Sequence, residues 1–152
     1  MIDAQHCVIC GSPGKYLCFN HRKRYVYNSK YNVVVLKPRR RISKGQTKLF
    51  KIVRSIFNLP TFQEVLFQWM VNDDLHYRYD ISIPDKKLII EMNGRQHYTP
   101  VMFFCKTMKG FEDQVKTDKI KQEMAIGNGY KFITFSYKDD LTMANVRKRI
   151  EE

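Results

Sequence analysis

A chain of 152 residues, 43% of them apolar, has room for one cored domain and a small appendage. Its net charge of +12 is unevenly placed: Ala4–Gln63 carries 13 Lys or Arg and no Asp or Glu, whereas Glu64–Glu152 carries 14 basic and 14 acidic residues. Charge this one-sided marks a polyanion binder, while the apolar run Val33–Leu36 is too short to cross a bilayer and no helical apolar stripe accompanies the cations, which speaks against a membrane partner.

The first zone, residues 1–24, opens with Met1–Gln5, which lacks the apolar stretch of a signal peptide, so a cytoplasmic protein is expected. In a reducing compartment cysteines serve as thiols or metal ligands. Cys7 and Cys10 are separated by two residues; seven residues later Cys18 and His21 repeat that spacing. Two such pairs converge on one tetrahedral ion, with Gly11, Pro13 and Gly14 turning the chain between them. Four protein ligands close the shell, so the expected zinc is structural, and it supplies stability that so short a module cannot draw from apolar burial. His6, beside Cys7, is an alternative fourth ligand.

Residues 25–42 read as a basic linker or arm. Arg22, Lys23 and Arg24 before it, Arg39, Arg40 and Arg41 within it and Lys44 after it are the candidate phosphate contacts. Tyr25, Tyr27 and Tyr31 interleave these charges, and either pack on the zinc module or stack on bases.

Residues 43–152 form the third unit. Ser43 is the expected cap of a helix with Leu49, Ile52, Val53 and Ile56 on one face, stopped by Pro60. Strands are expected over Phe62–Met70, over His76–Ile83 with Tyr77, Tyr79, Ile81 and Ile83 on one face, and over Lys87–Met92, with a turn at Asp85-Lys86. A loop at 98–110, a helix over Gln114–Ile126, a strand over Tyr130–Ser136 and a helix over Leu141–Ile150 capped by Asp140 complete the chain. Cys105 reads as a small residue of that loop, outside the zinc set. The order predicts a mixed α/β domain, a sheet flanked by helices.

Within it, Asp80 lies on the first strand of a hairpin and Glu91 near the end of the second, where their carboxylates can meet at one sheet edge. Glu91 interrupts the apolar run Leu88–Met92, an expensive place for a carboxylate unless it is paired or metal-bound. Two converging carboxylates suit Mg²⁺, and His97, six positions after Glu91 and past the turn at Asn93-Gly94, can point back to act on water.

These residues resemble the very-short-patch-repair-like branch of the restriction-endonuclease (PD-(D/E)XK) superfamily. The matching pieces are Asp80, the stretch Ile90-Glu91-Met92-Asn93-Gly94-Arg95-Gln96-His97-Tyr98, then Asp118-Lys119-Ile120-Lys121 and Gly129-Tyr130-Lys131-Phe132-Ile133. The resemblance spans about residues 43–140 and implies a helix–strand–strand–strand–helix–strand core that cleaves phosphodiesters with a divalent metal. It implies Asp80 and Glu91 as Mg²⁺ ligands, His97 and Asp118 around the reacting water or phosphate, and Lys121 on a phosphate. Asn93 stands where the superfamily has a lysine, leaving proton handling to His97 or another cation. After Ser43-Lys44-Gly45 comes Gln46 where an acid often stands; Glu64 replaces it only if the preceding helix is placed differently. The expectation is a Mg²⁺-dependent endonuclease acting on double-stranded DNA, with a homodimer possible. A non-cleaving zinc-finger DNA-binding protein on a decayed scaffold and an RNA-directed nuclease are the competing readings.

Overall fold

The structure, a computed structural model, describes residues 5–37, 42–70, 77–98 and 108–152, without the side chains of Met70 and Gln96. Arg39, Arg40 and Arg41 and the loop residues Phe103, Phe104 and Cys105 lie outside them. Among the described residues, six strands form one sheet in chain order: β1 (Tyr25–Asn28), β2 (Val33–Leu36), β3 (Phe62–Leu66), β4 (Tyr79–Ile83), β5 (Leu88–Asn93) and β6 (Lys131–Ser136). Strands β1 to β5 are a continuous antiparallel meander, and β6 joins β5 in parallel. A parallel return needs a crossover, here helix α2 (Met108–Gly127). Helices α1 (Lys44–Phe57) and α3 (Met143–Glu151) complete the described set. None of the described helices is long and apolar enough to cross a membrane.

The segment expected to be a linker is therefore part of the sheet. Tyr25 pairs with Leu36 and Asn28 with Val33 in a hairpin whose second strand pairs with β3. The aromatic and β-branched residues Tyr25-Val26-Tyr27 and Val33-Val34-Val35 favour strand here, and the cations sit beside them. Tyr25 is buried, Tyr27 stacks on Tyr16 at 4.6 Å and Tyr31 packs against Phe62 at 5.5 Å, so all three tyrosines serve packing.

Two cores flank the sheet. On one side Leu49 and Val53 of α1 and Val146 of α3 pack with Ile81, Ile83, Leu88, Ile90, Ile133 and Phe135. On the other, Ala125 at the end of α2 packs with Tyr79, Ile89, Val65 and Phe67, and this cluster continues into Cys7, Ile9, Leu17 and Cys18. The cysteine-rich segment thus shares a core with the sheet. Tyr79 and Ile81, expected on one face, belong to opposite cores; the strand changes face at Asp80, where the regular β4–β5 ladder ends at the Ile81–Ile90 pair.

Several ends differ from expectation for local reasons. Ser43 caps α1 as expected, its hydroxyl accepting from the Gln46 amide, but the helix ends at Phe57 because Asn58 adopts a left-handed conformation, ahead of Pro60. Among the described residues helix α2 is already formed at Met108, inside the expected loop. Helix α3 is capped by Thr142, which accepts from the Asn145 amide, so Asp140 and Leu141 precede it. Strand β3 stops at Leu66, and the link between β4 and β5 is a single 3-10 turn, Pro84–Lys86, closed by a left-handed Lys87.

A carboxylate cleft and a Cys3His cluster

Where the β4–β5 ladder gives out, side chains replace backbone. The Asp80 amide donates to Glu91 Oε1 at 3.0 Å, and the Met92 amide donates to Asp80 Oδ2 at 2.8 Å. Two backbone N–H groups that would lose their ladder partners are satisfied by two carboxylates, which fixes both acids at one sheet edge. Glu91 is buried and Asp80 half-buried. Burial, and after it the Asp80 carboxylate, pushes the Glu91 carboxyl up to about 8. Burial likewise raises Asp80, against the pull of Lys121 and the Met92 amide.

Lys121, from α2, donates to Glu91 Oε2 at 2.7 Å. Tyr79 holds that lysine twice: its hydroxyl donates to the Lys121 carbonyl at 2.7 Å, and the Lys121 ammonium lies 5.3 Å from its ring centroid. Glu64 brings a third carboxylate from β3. It accepts from Gln46 Nε2 at 3.0 Å and from Arg78 Nε at 2.9 Å, and it adopts φ of 52°, a left-handed conformation uncommon outside glycine. Gly45 of helix α1 faces Met92: a Cβ there would stand 2.9 Å from Met92 Cε, the movable end of that side chain.

Opposite the acids, His97 Nδ1 lies 2.7 Å from Asp118 Oδ2, and Gln114 donates to Asp118 Oδ1 at 3.1 Å. His97 follows β5 on a 3-10 turn, Arg95–His97, and Asp118 lies one helical turn before Lys121. All these groups except Tyr79 line one cleft of about 720 Å³. Of the six residues expected to carry the chemistry, Asp80, Glu91, His97, Asp118 and Lys121 line it together. Asn93 lines a neighbouring cavity of about 240 Å³, which shares Glu91, Asp118 and Lys121 with the first. Glu64 and Arg78 complete the cleft in a way local spacing does not show, since their pairing is made across β3 and β4. Glu64, weighed above as a replacement for the acid absent at Gln46, stands in the cleft and accepts from that glutamine, with α1 starting where it was expected.

The charges explain what the cleft can hold. Glu64 is matched by Arg78, and His97 faces Asp118. Among the described residues, the ammonium paired with Glu91 is that of Lys121, and its charge also acts on Asp80. Two adjacent, largely desolvated carboxylates with one cation are short of positive charge. A hard divalent cation with oxygen ligands fits that deficit.

The second cluster is at the other end of the chain. Cys7, Cys10, Cys18 and His21 bring their ligand atoms within 4.8 Å of one another, and this Cys3His set could hold a zinc ion. His21 Nδ1 lies 3.3 Å from both Cys7 Sγ and Cys18 Sγ, and Cys10 Sγ lies 3.8 Å from Cys18 Sγ. Zn–S bonds of about 2.3 Å in a tetrahedron place sulfurs about 3.8 Å apart, so the spacing fits zinc. His21, not His6, is the fourth member. The first pair is turned by the Cys7 amide donating to Ser12 O and the Gly11 amide to Cys7 O, each at 2.8 Å. Gly14 is required where it stands: at φ of 152° a Cβ would lie 2.8 Å from Cys18 Cα. Burial raises the Cys7 thiol, and the Ser12 hydroxyl lowers that of Cys10.

Of the expected phosphate contacts, Arg22, Lys23 and Arg24 are exposed around the turn that follows Cys18, and Lys44 is exposed between Ser43 and the cleft-lining Gly45. Comparison of the chain with protein families, with curated proteins and with solved structures found no match.

Proposed function

We propose that this protein is a divalent-metal-dependent endonuclease that hydrolyses phosphodiester bonds in DNA, with a structural zinc site and a basic surface that hold the substrate. The observation that carries the reading is the cross-strand exchange between Asp80 and Glu91, which sets two buried carboxyl groups side by side in a cleft beside Lys121 and a His97–Asp118 pair. The element order from residue 44 onward, α1-β3-β4-β5-α2-β6, agrees with the restriction-endonuclease-like core that the sequence resembles.

Asp80 and Glu91 would hold Mg²⁺. Such an ion supplies polarisation of the phosphate and acidification of a bound water. The remaining work falls to side chains. Asp118, accepting from the protonated His97 Nδ1, fixes the imidazole tautomer and leaves Nε2 as the base that takes a proton from the attacking water. Lys121 offsets charge that builds on the phosphate oxygens, and so stands in for the cation that Asn93 does not provide. Gln46 and Arg78 hold Glu64 beside the pair, where its charge adds to the demand for a cation.

The test is incubation of the zinc-loaded protein with plasmid DNA, with and without Mg²⁺ or Mn²⁺, beside Asp80→Ala and Glu91→Ala. Cleavage that needs the added metal and disappears in both variants is the expected result. Binding without cleavage under every metal overturns the enzymatic half and leaves a zinc-stapled binding protein. Cleavage of RNA but not of DNA overturns the substrate.

A further inference from the structure

We infer that Phe19, together with Arg22 and Lys23, forms a stacking platform for an unpaired nucleobase on the Cys3His module; the inference rests on the polynucleotide-binding half of the reading above and not on its chemistry. Phe19 is 61% exposed, the most exposed large apolar side chain among the described residues. The Lys23 ammonium lies 4.1 Å from its ring centroid and the Arg22 guanidinium carbon 5.0 Å. An aromatic ring left in water with cations over it belongs to neither buried core of the described residues, and a base that stacks on it would take the place of one of those cations, which can turn to the phosphates.

The position of the ring is fixed by its neighbours. Phe19 lies between Cys18 and His21, both members of the Cys3His cluster, so a bound zinc would tie both ends of its loop to one ion. The Arg22 amide donates to Cys18 O at 3.0 Å, and the Lys37 ammonium donates to Arg22 O at 2.7 Å. A platform held in place before binding loses little conformational entropy when its ligand arrives.

Charge selects the occupant. The segment Ala4–Gln63 holds 13 cations and no acid, which fits a polyanion and repels basic partners. Among polyanions, a strand of nucleotides offers phosphates for Arg22 and Lys23 and flat π-faces for Phe19 at short alternating intervals. Within a duplex those faces are covered by neighbouring base pairs. The ring can therefore engage a single strand or an extrahelical base, and not a fully paired stretch.

Fluorescence anisotropy tests this with the zinc-loaded full chain, no Mg²⁺, and two probes: a short single-stranded oligonucleotide and relaxed, closed-circular duplex as competitor. Phe19→Ala should weaken single-strand binding by about 5- to 150-fold, the range that loss of one stacked base produces. The slope of log affinity against log salt should not change in that variant, whereas Arg22→Ala should reduce it by about 0.7. Phe19→Trp should bind like wild type, and Phe19→Leu, which keeps apolar bulk without a π-face, should bind like Phe19→Ala. Zinc content, measured on every variant, separates lost stacking from a lost module; if Phe19→Ala sheds zinc, the Leu and Trp variants decide. Unchanged single-strand affinity in Phe19→Leu, or an equal loss on duplex, overturns the inference. Wild-type protein that binds no nucleic acid overturns the polynucleotide reading itself.

Discussion

Lys121 and Glu91 meet at 2.7 Å with both side chains nearly buried, the lysine from helix α2 and the acid from strand β5. A lysine two residues after the acid on the same strand would share its face of the sheet; the position is Asn93, and the ammonium arrives from a neighbouring helix instead. Replacing Lys121 with Met should cost about 3 kcal/mol of stability in metal-free protein, because it strands a buried carboxylate. It should also slow DNA cleavage by at least about 100-fold, the usual scale for losing one preorganised electrostatic contact. Chemical denaturation and single-turnover cleavage measure the two effects. A variant that cuts at the wild-type rate removes Lys121 from the site.

The raised carboxyls predict how stability follows pH. The folded protein holds protons on Glu91 and Asp80 that the unfolded chain has released, so in the absence of a divalent cation their contribution is fully favourable below the ordinary carboxylate range. It is lost as pH rises from there toward about 8, the folded value for Glu91. The slope for one such proton is at most about 1.4 kcal/mol per pH unit. Added Mg²⁺ should flatten the fall by binding the deprotonated pair. Thermal melts across pH, with zinc kept saturated, test the sign: a metal-free midpoint that climbs through this window, with the other acids accounted for, contradicts it.

Asp80→Asn separates fold from chemistry. The amide oxygen can still accept from the Met92 N–H, so the link across β4 and β5 survives while one of two adjacent charges goes. Metal-free stability should rise by about 1 kcal/mol, a common gain when a charge kept for function is removed. Metal-dependent cleavage should disappear. A variant that is less stable than wild type shows that the carboxylate pair is not strained in the way its burial implies.

The Cys3His cluster predicts a wider effect than loss of a tail. Because Cys7 and Cys18 share a buried cluster with Val65, Tyr79 and Ile89, Cys10→Ser should lose its zinc and also broaden or lower the melting of the sheet. Metal analysis should find one zinc per wild-type chain. A zinc-free variant whose sheet melts like wild type shows that the module folds apart from the rest.

His97→Gln keeps a hydrogen-bonding side chain beside Asp118 but removes the basic nitrogen. Cleavage should fall about 100- to 10,000-fold, the range for general-base loss, and substrate affinity should be little changed. A loss of binding equal to the loss of rate assigns His97 to positioning instead.

The parts of the molecule visible in the sequence are those set by short spacing. The two ligand pairs that end at Cys10 and His21 sit on tight turns, so their separation along the chain dictates their convergence. Asp80 and Glu91 lie on consecutive strands joined by one turn, so register alone brings them near. Arg78 escaped, and Glu64 was reached only through the resemblance, because their pairing depends on the way β3 bends through the left-handed Glu64, a tertiary effect with no local pattern. Strands β1 and β2 were obscured by charge: the cations of the segment suggested an arm, while Tyr25 and Val33–Leu36 were already a hairpin. The segment from Met108 to Gly110 was expected in a loop, yet the helix already runs through it and tolerates Gly110.

The stitching of β4 to β5 by side chains also constrains the protein's descendants. Asp80 and Glu91 close gaps in the backbone as well as gathering charge, so deleting either side chain exposes a bare amide. Lineages that abandoned the reaction would be pressed to keep an oxygen at both places, and relics of this fold should carry asparagine or glutamine there far more often than alanine.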